Sequence, residues 1–233
     1  MNDLETLAYS DGEIGLTSHV ARPKGVPRAA VLVFPTIMNP GGFVFDKAKS
    51  LADHGYLALV ADFYGKQPEN FDQSREFAME IRQTPDSYRN RLRAGLKALA
   101  GMEEARGLPI GAIGFCMGGQ ATLELARDGA PLFAAVSFHG LLNTEQPAEP
   151  GRISARILVC HGDADPMVPR QQVIKFWEEM DHAGGNWHFH SYAGVKHGFC
   201  NPQPNSNPAT AYDESADRQS WASMFSLFDE VLA

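Results

Sequence analysis

Five short runs rich in Val, Ile, Leu and Phe, at 30–34, 57–61, 110–115, 134–138 and 157–161, are continuously apolar and do not alternate with polar residues. A strand with one wet face alternates, so these runs predict strands buried on both faces, as in a parallel sheet. Two further runs, 14–22 and 187–192, alternate more and are expected near the sheet edges. The stretches 43–54, 72–83, 86–101, 118–128, 170–183 and 213–231 carry apolar residues at helical spacing. Strand followed by helix, repeated, specifies an α/β fold with a mostly parallel central sheet and helices on both faces. The chain has 233 residues, no internal repeat and no low-complexity linker, so one domain over 1–233 is expected. The Pro- and Asn-rich stretch 201–208 reads as a loop within it.

Charge and composition exclude several roles. With 20 basic and 28 acidic residues the formal net charge is −8, which argues against nucleic acid or an anionic membrane as partner. The longest apolar run, 29–35, has seven residues, far short of the roughly 18 that a membrane-spanning helix needs. The first residues, MNDLE, open acidic and lack the basic and apolar regions of a signal peptide, so a cytoplasmic location is expected. Three cysteines, Cys116, Cys160 and Cys200, are an odd set and no disulfide framework. Either all three are small core hydrophobes, or one of them does chemistry.

In a parallel α/β sheet, ligands bind in the loops beyond the carboxyl ends of the strands. After the run 110–115 the sequence reads Gly114-Phe115-Cys116-Met117-Gly118-Gly119 and enters a helix. That is the G-x-S-x-G nucleophile elbow with Cys for Ser, in the strand-turn-helix setting it requires. Small flanking residues let strand and helix approach, and a helix N-terminus favours a thiolate at an exposed Cys116. The plainer reading is a buried Cys in a Gly-rich turn. After 157–161 come Asp163 and Asp165, each either an acid that orients a base or an ordinary turn residue before a helix. After 187–192 comes His197, between small residues in Val195-Lys196-His197-Gly198. Nucleophile, acid and histidine in that chain order is the α/β-hydrolase arrangement. An oxyanion needs donors too, and the candidates are the N–H groups of Met117 and of Ile37, in the loop after 30–34. No cofactor is expected, because neither G-x-G-x-x-G nor G-x-x-x-x-G-K-[ST] is present. No metal is expected either. His188 and His190 face one way on a strand, and Cys160, His161, Asp163 and Asp165 cluster, but neither set has C-x-x-C or H-E-x-x-H spacing.

At this point the sequence resembles the dienelactone hydrolase (carboxymethylenebutenolidase) family of α/β-hydrolases. The resemblance is carried by Gly55-Tyr56-Leu57-Ala58, Asp62-Phe63-Tyr64-Gly65, the elbow around Cys116, Asp165-Pro166-Met167-Val168-Pro169, His197-Gly198-Phe199 and a final helix with Trp221. It implies a triad of Cys116, Asp165 and His197, which selects Asp165 over Asp163. Thr36 stands where the family's naming enzyme has a Glu that helps activate the thiol, and Asn201 where it has a substrate-binding Arg; Arg75 is the counterpart of a second such Arg. An anionic dienelactone therefore does not follow as substrate, and the thiol is expected to depend on His197. The substrate pocket is expected between Cys116 and the segments around Thr36, Tyr64, Arg75, His139, Phe199 and Asn201. The implied activity is hydrolysis of a small-molecule ester, lactone or thioester through an acyl-thioester. Two other readings use the same residues: a non-hydrolytic small-molecule binder that keeps the elbow, and an acyltransferase that passes the acyl group to an alcohol or thiol.

Overall fold

In a computed structural model, residues 4–203 and 206–233 are described; Met1, Asn2 and Asp3 of the N-terminal reading and Pro204 and Asn205 of the expected loop lie outside them. The chain divides into two compact units, Met1–Ala112 and Ile113–Ala233.

The first unit holds β1 (Glu5–Asp11), β2 (Ile14–Ala21), β3 (Ala29–Phe34), α1 (Gly42–Asp53), β4 (Tyr56–Val60), α2 (Phe71–Ile81) and α3 (Pro85–Ala100). Its strands run in the order β1-β2-β4-β3. Strands β3 and β4 pair in parallel through the crossover helix α1, while β2 joins β4, and β1 joins β2, antiparallel. Every residue of β3 and β4 is buried, as their unbroken apolar character requires. The sequence reading missed β1, whose residues ETLAYSD are mostly half-buried or exposed. Its signal is the hairpin turn instead, where Gly12 takes φ 58° between β1 and β2. Helix α2 is capped by Asn70, and α3 by a Thr84–Ser87 capping box with Pro85 in the first turn.

The second unit opens within β5 (Ile110–Phe115) and continues with α4 (Met117–Arg127), β6 (Ala134–Phe138), β7 (Arg156–Gly162), α5 (Arg170–Ala183), β8 (Asn186–Tyr192) and α6 (Glu214–Val231). The order β5-β6-β7-β8 places the alternating strand β8 last, and β6, β7 and β8 pair in parallel. One buried cation ties its helices together. Arg127 donates to both carboxylate oxygens of Glu179 at 2.8 Å, to Glu124 at 3.0 Å and to the Leu142 carbonyl at 2.8 Å. Glu179 also accepts the Ala148 N–H at 3.0 Å, so α4, α5 and the 142–148 segment share one charge network.

Removing one member of a buried ion pair strands the other charge in a low dielectric. Glu179→Ala should therefore lower the unfolding free energy by about 3 kcal/mol, read as the shift in the urea midpoint at constant slope. A change within ordinary surface scatter would show that Glu124 alone suffices for Arg127.

Candidate active site

Cys116 lies between β5 and α4 at φ 57° and ψ −116°, a conformation few side-chain-bearing residues adopt. The glycines around it make that turn possible. A Cβ on Gly114 would lie 2.0 Å from the Gly118 carbonyl oxygen, and one on Gly119 would lie 2.7 Å from the Gly140 Cα. Helix α4 thus comes down onto the end of β6, where only glycine leaves room beside the Ser137 hydroxyl. The Cys116 N–H donates to the Phe138 carbonyl and to His139 Nδ1, each at 3.1 Å. Cys116 is half-buried, short of the full exposure expected, and Met117 is the first residue of α4.

The acid and the histidine are brought together by two loops stitched along their backbones. Asp163 N–H donates to the Tyr192 carbonyl and Ala164 N–H to the Val195 carbonyl, both at 2.9 Å. Gly162 permits this approach, since a Cβ there would lie 2.5 Å from the Val195 oxygen. Asp165 Oδ2 then sits 2.7 Å from His197 Nδ1, with both residues 3% exposed. Asp165 Oδ1 accepts the Met167 N–H at 2.8 Å, which fixes the carboxylate's orientation. Asp163 points elsewhere and pairs with Arg170 at the surface. The His197 backbone is held on its far side, where its carbonyl accepts the Ala211 N–H at 3.1 Å.

An ionised carboxylate only accepts, so Nδ1 of His197 carries the shared proton and Nε2 is left for chemistry. Nε2 is buried. Its approach to Cys116 falls short of a well-formed hydrogen bond, yet the cysteine's charge acts strongly on the ring. Burial pulls the imidazole pKa down, but the Cys116 charge and the Asp165 hydrogen bond outweigh it and raise the pKa to about 10.

The other sequence-predicted residues fall into two sets. In the second unit His139 and Phe199 are buried beside His197, whose ring lies 5.1 Å from that of His139. Asn201 is half-buried, and its side-chain oxygen accepts the Gln203 N–H at 3.0 Å. Cys160 is buried in β7, which pushes its thiol pKa up to about 12. Cys200 is also fully buried, with Sγ 4.0 Å from Ser220 Oγ. His161, next to last in β7, was weighed in the sequence only as a member of the cluster that lacks metal-ligand spacing. It is 2% exposed, burial lowers its pKa, and the charges of Asp165, Asp163 and His197 reach it.

In the first unit Thr36 and Ile37 follow β3. The Thr36 hydroxyl accepts the Met38 N–H at 3.2 Å, and the Tyr64 hydroxyl donates to the Ile37 carbonyl at 3.0 Å. Arg75 is exposed on α2. The organiser of this region is Asp62, 6% exposed. Its carboxylate accepts from Asn39 at 2.7 Å and from the backbone N–H groups of Thr17, Tyr64 and Gly65, each at 2.9 Å. Asn39, at φ 67°, in turn accepts the Phe63 N–H at 2.8 Å. The motif Asp62-Phe63-Tyr64-Gly65 thereby locks the loop after β4 to the loop after β3.

A cysteine on a strand-to-helix elbow, followed in the chain by an acid and a histidine on later strand ends, places the fold among the α/β-hydrolases. Solved structures agree: the dienelactone hydrolase-like promiscuous phosphotriesterase P91, from metagenomic libraries, is 34% identical, with a TM-score of 0.93 over 97% of each chain. Residues 16–232 match the model of the dienelactone hydrolase family, and the chain belongs to that family. Among curated relatives, the "Probable 2-oxo-3-(5-oxofuran-2-ylidene)propanoate lactonase" of Bradyrhizobium sp is 28% identical, covering 84% of this chain and 85% of its own. The "Carboxymethylenebutenolidase homolog" of Xenopus tropicalis is 26% identical, over 79% of this chain and 75% of its own.

An unfolded histidine titrates near 6.5, so the stability linked to the raised His197 pKa is fully present below about 6.5 and is lost as pH rises through about 10. Asp165→Asn removes one of the two influences holding the proton. In that variant the loss should begin at lower pH, seen as a thermal midpoint that falls away from the wild type as the pH rises from about 7 toward 10. Parallel curves would mean that Asp165 does not hold the proton on His197.

Proposed function

We propose that the protein hydrolyses a carboxylic ester, lactone or thioester through a Cys116-His197-Asp165 triad, as a cytoplasmic enzyme acting on a small molecule. The observation that carries the reading is the buried 2.7 Å contact of Asp165 with His197, coupled by charge to a cysteine on a strained elbow. An Asp that orients a histidine, which in turn activates a nucleophile, is the arrangement covalent acyl transfer needs. Family membership and the lactonase and butenolidase relatives support the same class of substrate. The family match, from 16 to 232, supports reading the chain as one domain. The cytoplasmic placement is supported by the three cysteines, none of which forms a disulfide. Among the described residues no helix is long and apolar enough to cross a membrane.

In the proposed cycle the Cys116 proton rests on Nε2 of His197, in keeping with the raised imidazole pKa, and the thiolate attacks the substrate carbonyl. The carbonyl oxygen becomes an oxyanion, for which the Met117 N–H is one donor and the Ile37 N–H is the sequence's candidate for a second. Collapse of the tetrahedral species expels the alkoxide or thiolate leaving group, which takes the proton from His197 and leaves an acyl-thioester on Cys116. His197 then draws a proton from water, the hydroxide adds to the thioester, and the acid product departs as the Cys116 thiolate re-forms beside the protonated His197. Asp165 holds the ring in orientation and stabilises the imidazolium. Thr36, Tyr64, Arg75, Phe199 and Asn201 remain the candidates for contact with the substrate.

Cys116→Ala should abolish hydrolysis of a panel of aryl esters, lactones and thioesters, a loss of about 10³-fold or more in kcat/KM. Undiminished turnover would sink the assignment. A neutral phosphate triester belongs in the panel, because P91 is described as a phosphotriesterase. In the native protein, iodoacetamide followed by peptide mapping should label Cys116 and spare the buried Cys160 and Cys200. Equal labelling of all three would contradict an activated thiol at Cys116.

A further inference from the structure

His139 stands between the two residues whose chemistry the proposed cycle needs, and its contacts are more specific than a pocket wall requires. Its Nδ1 accepts the Cys116 N–H at 3.1 Å. Its ring meets that of His197 at 5.1 Å with planes 70° apart, and that of Phe199 at 5.3 Å. The residue is 1% exposed, and its own N–H donates to the Cys160 carbonyl at 2.8 Å, which locks it to the end of β7. Its backbone takes φ 41°, a region that residues other than Gly adopt uncommonly, Asn, Asp and His more than the rest. A buried, left-handed histidine held by three neighbouring segments is a costly arrangement, and such positions cluster where geometry serves function.

The hydrogen bond fixes the chemical state of the ring. A nitrogen that accepts carries no proton, so His139 is neutral, with its one ring proton on Nε2. A neutral ring suits this place. A cation 5.1 Å from His197 would oppose the imidazolium of the cycle, and an aliphatic side chain would leave the Cys116 peptide with only its backbone acceptor, Phe138.

We propose that His139 is a positioning residue for the Cys116–His197 pair: its Nδ1 holds the elbow peptide in its strained turn while its ring seats the imidazole of His197. It does not touch the reacting atoms in this role. The proposal rests on the hydrolytic reading above. It separates two contributions that different substitutions can isolate. Asparagine keeps an acceptor close to the Nδ1 position and tolerates a positive φ, phenylalanine keeps the ring and loses the acceptor, and alanine loses both.

The test compares the wild type with His139→Asn, His139→Phe and His139→Ala in two measurements. One is steady-state kinetics on whichever aryl ester of the panel the wild type turns over. The other is the rate of Cys116 alkylation by iodoacetamide as a function of pH. His139→Ala should lower kcat by about 10-fold or more with KM changed less than about 2-fold, because small displacements of reacting groups cost rate more than binding. Its alkylation profile should move toward that of an ordinary thiol, near pH 8.5. His139→Asn should recover kcat to within about 3-fold of wild type, and His139→Phe should not. The proposal is overturned if asparagine rescues no better than phenylalanine. It is also overturned if His139→Ala loses thermal stability while kcat and the alkylation profile of its folded fraction match the wild type. A wild-type Cys116 that alkylates as an ordinary thiol would overturn the hydrolytic reading and this one together. An activated wild-type thiol that is unchanged in His139→Ala would overturn this one alone.

Discussion

The turn that presents Cys116 is the constraint on which the second unit is arranged. A non-glycine residue at φ 57° is held there only if its neighbours over-determine it. The close approach of Gly114 to Gly118, and of Gly119 to Gly140, allows α4 to press onto the strand ends. The cysteine's N–H is shared between the Phe138 carbonyl and His139. At the far end of the same helix, Arg127 joins α4 to α5 through Glu179. A helix pinned at both ends can hold a strained residue at its N-cap, whereas a frayed one would let the turn relax.

The three cysteines illustrate how environment alone assigns chemistry. Cys160 sits in the middle of a strand buried on both faces, and desolvation pushes its thiol up to about 12. Cys200 is equally buried and packs on a serine hydroxyl. Cys116 is half-buried at a helix start, within reach of a histidine whose proton is held by a buried aspartate. The same side chain is a core hydrophobe in one setting and a candidate nucleophile in another. Net charge, −8 over the whole chain, has no bearing on that difference, which is decided within a few ångströms.

Much of this was legible from residue patterns. Strands buried on both faces must be apolar throughout, so β3 to β7 announce themselves, and the elbow glycines mark a place where strand and helix nearly touch. Strand β1 was not legible, because a half-exposed terminal strand carries no apolar run and is held by pairing with β2. The buried carboxylate of Asp62 was quoted only as part of a motif. Its four acceptor contacts come from residues scattered between 17 and 65, which no local pattern brings together. Thr36, Arg75 and Asn201 were picked by resemblance. Two of them use their side-chain oxygens within their own turns, and Arg75 is exposed on α2.

By itself the sequence determined the α/β class, the order of its elements and the shortlist of chemistry-bearing residues, because periodicity and turn chemistry are local and survive in one dimension. Residue types alone left Asp163 and Asp165 as equals, and a family resemblance was needed to prefer one. Only the tertiary structure gave the physical ground for that preference. Asp163 turns outward to Arg170, while Asp165 is carried 2.7 Å from His197, 32 residues away in the chain, by the stitching of two loops. The structure also revealed what His139 touches. Hydrogen bonds, burial and the electrostatics they create depend on which distant segments meet, and that is settled when the chain folds.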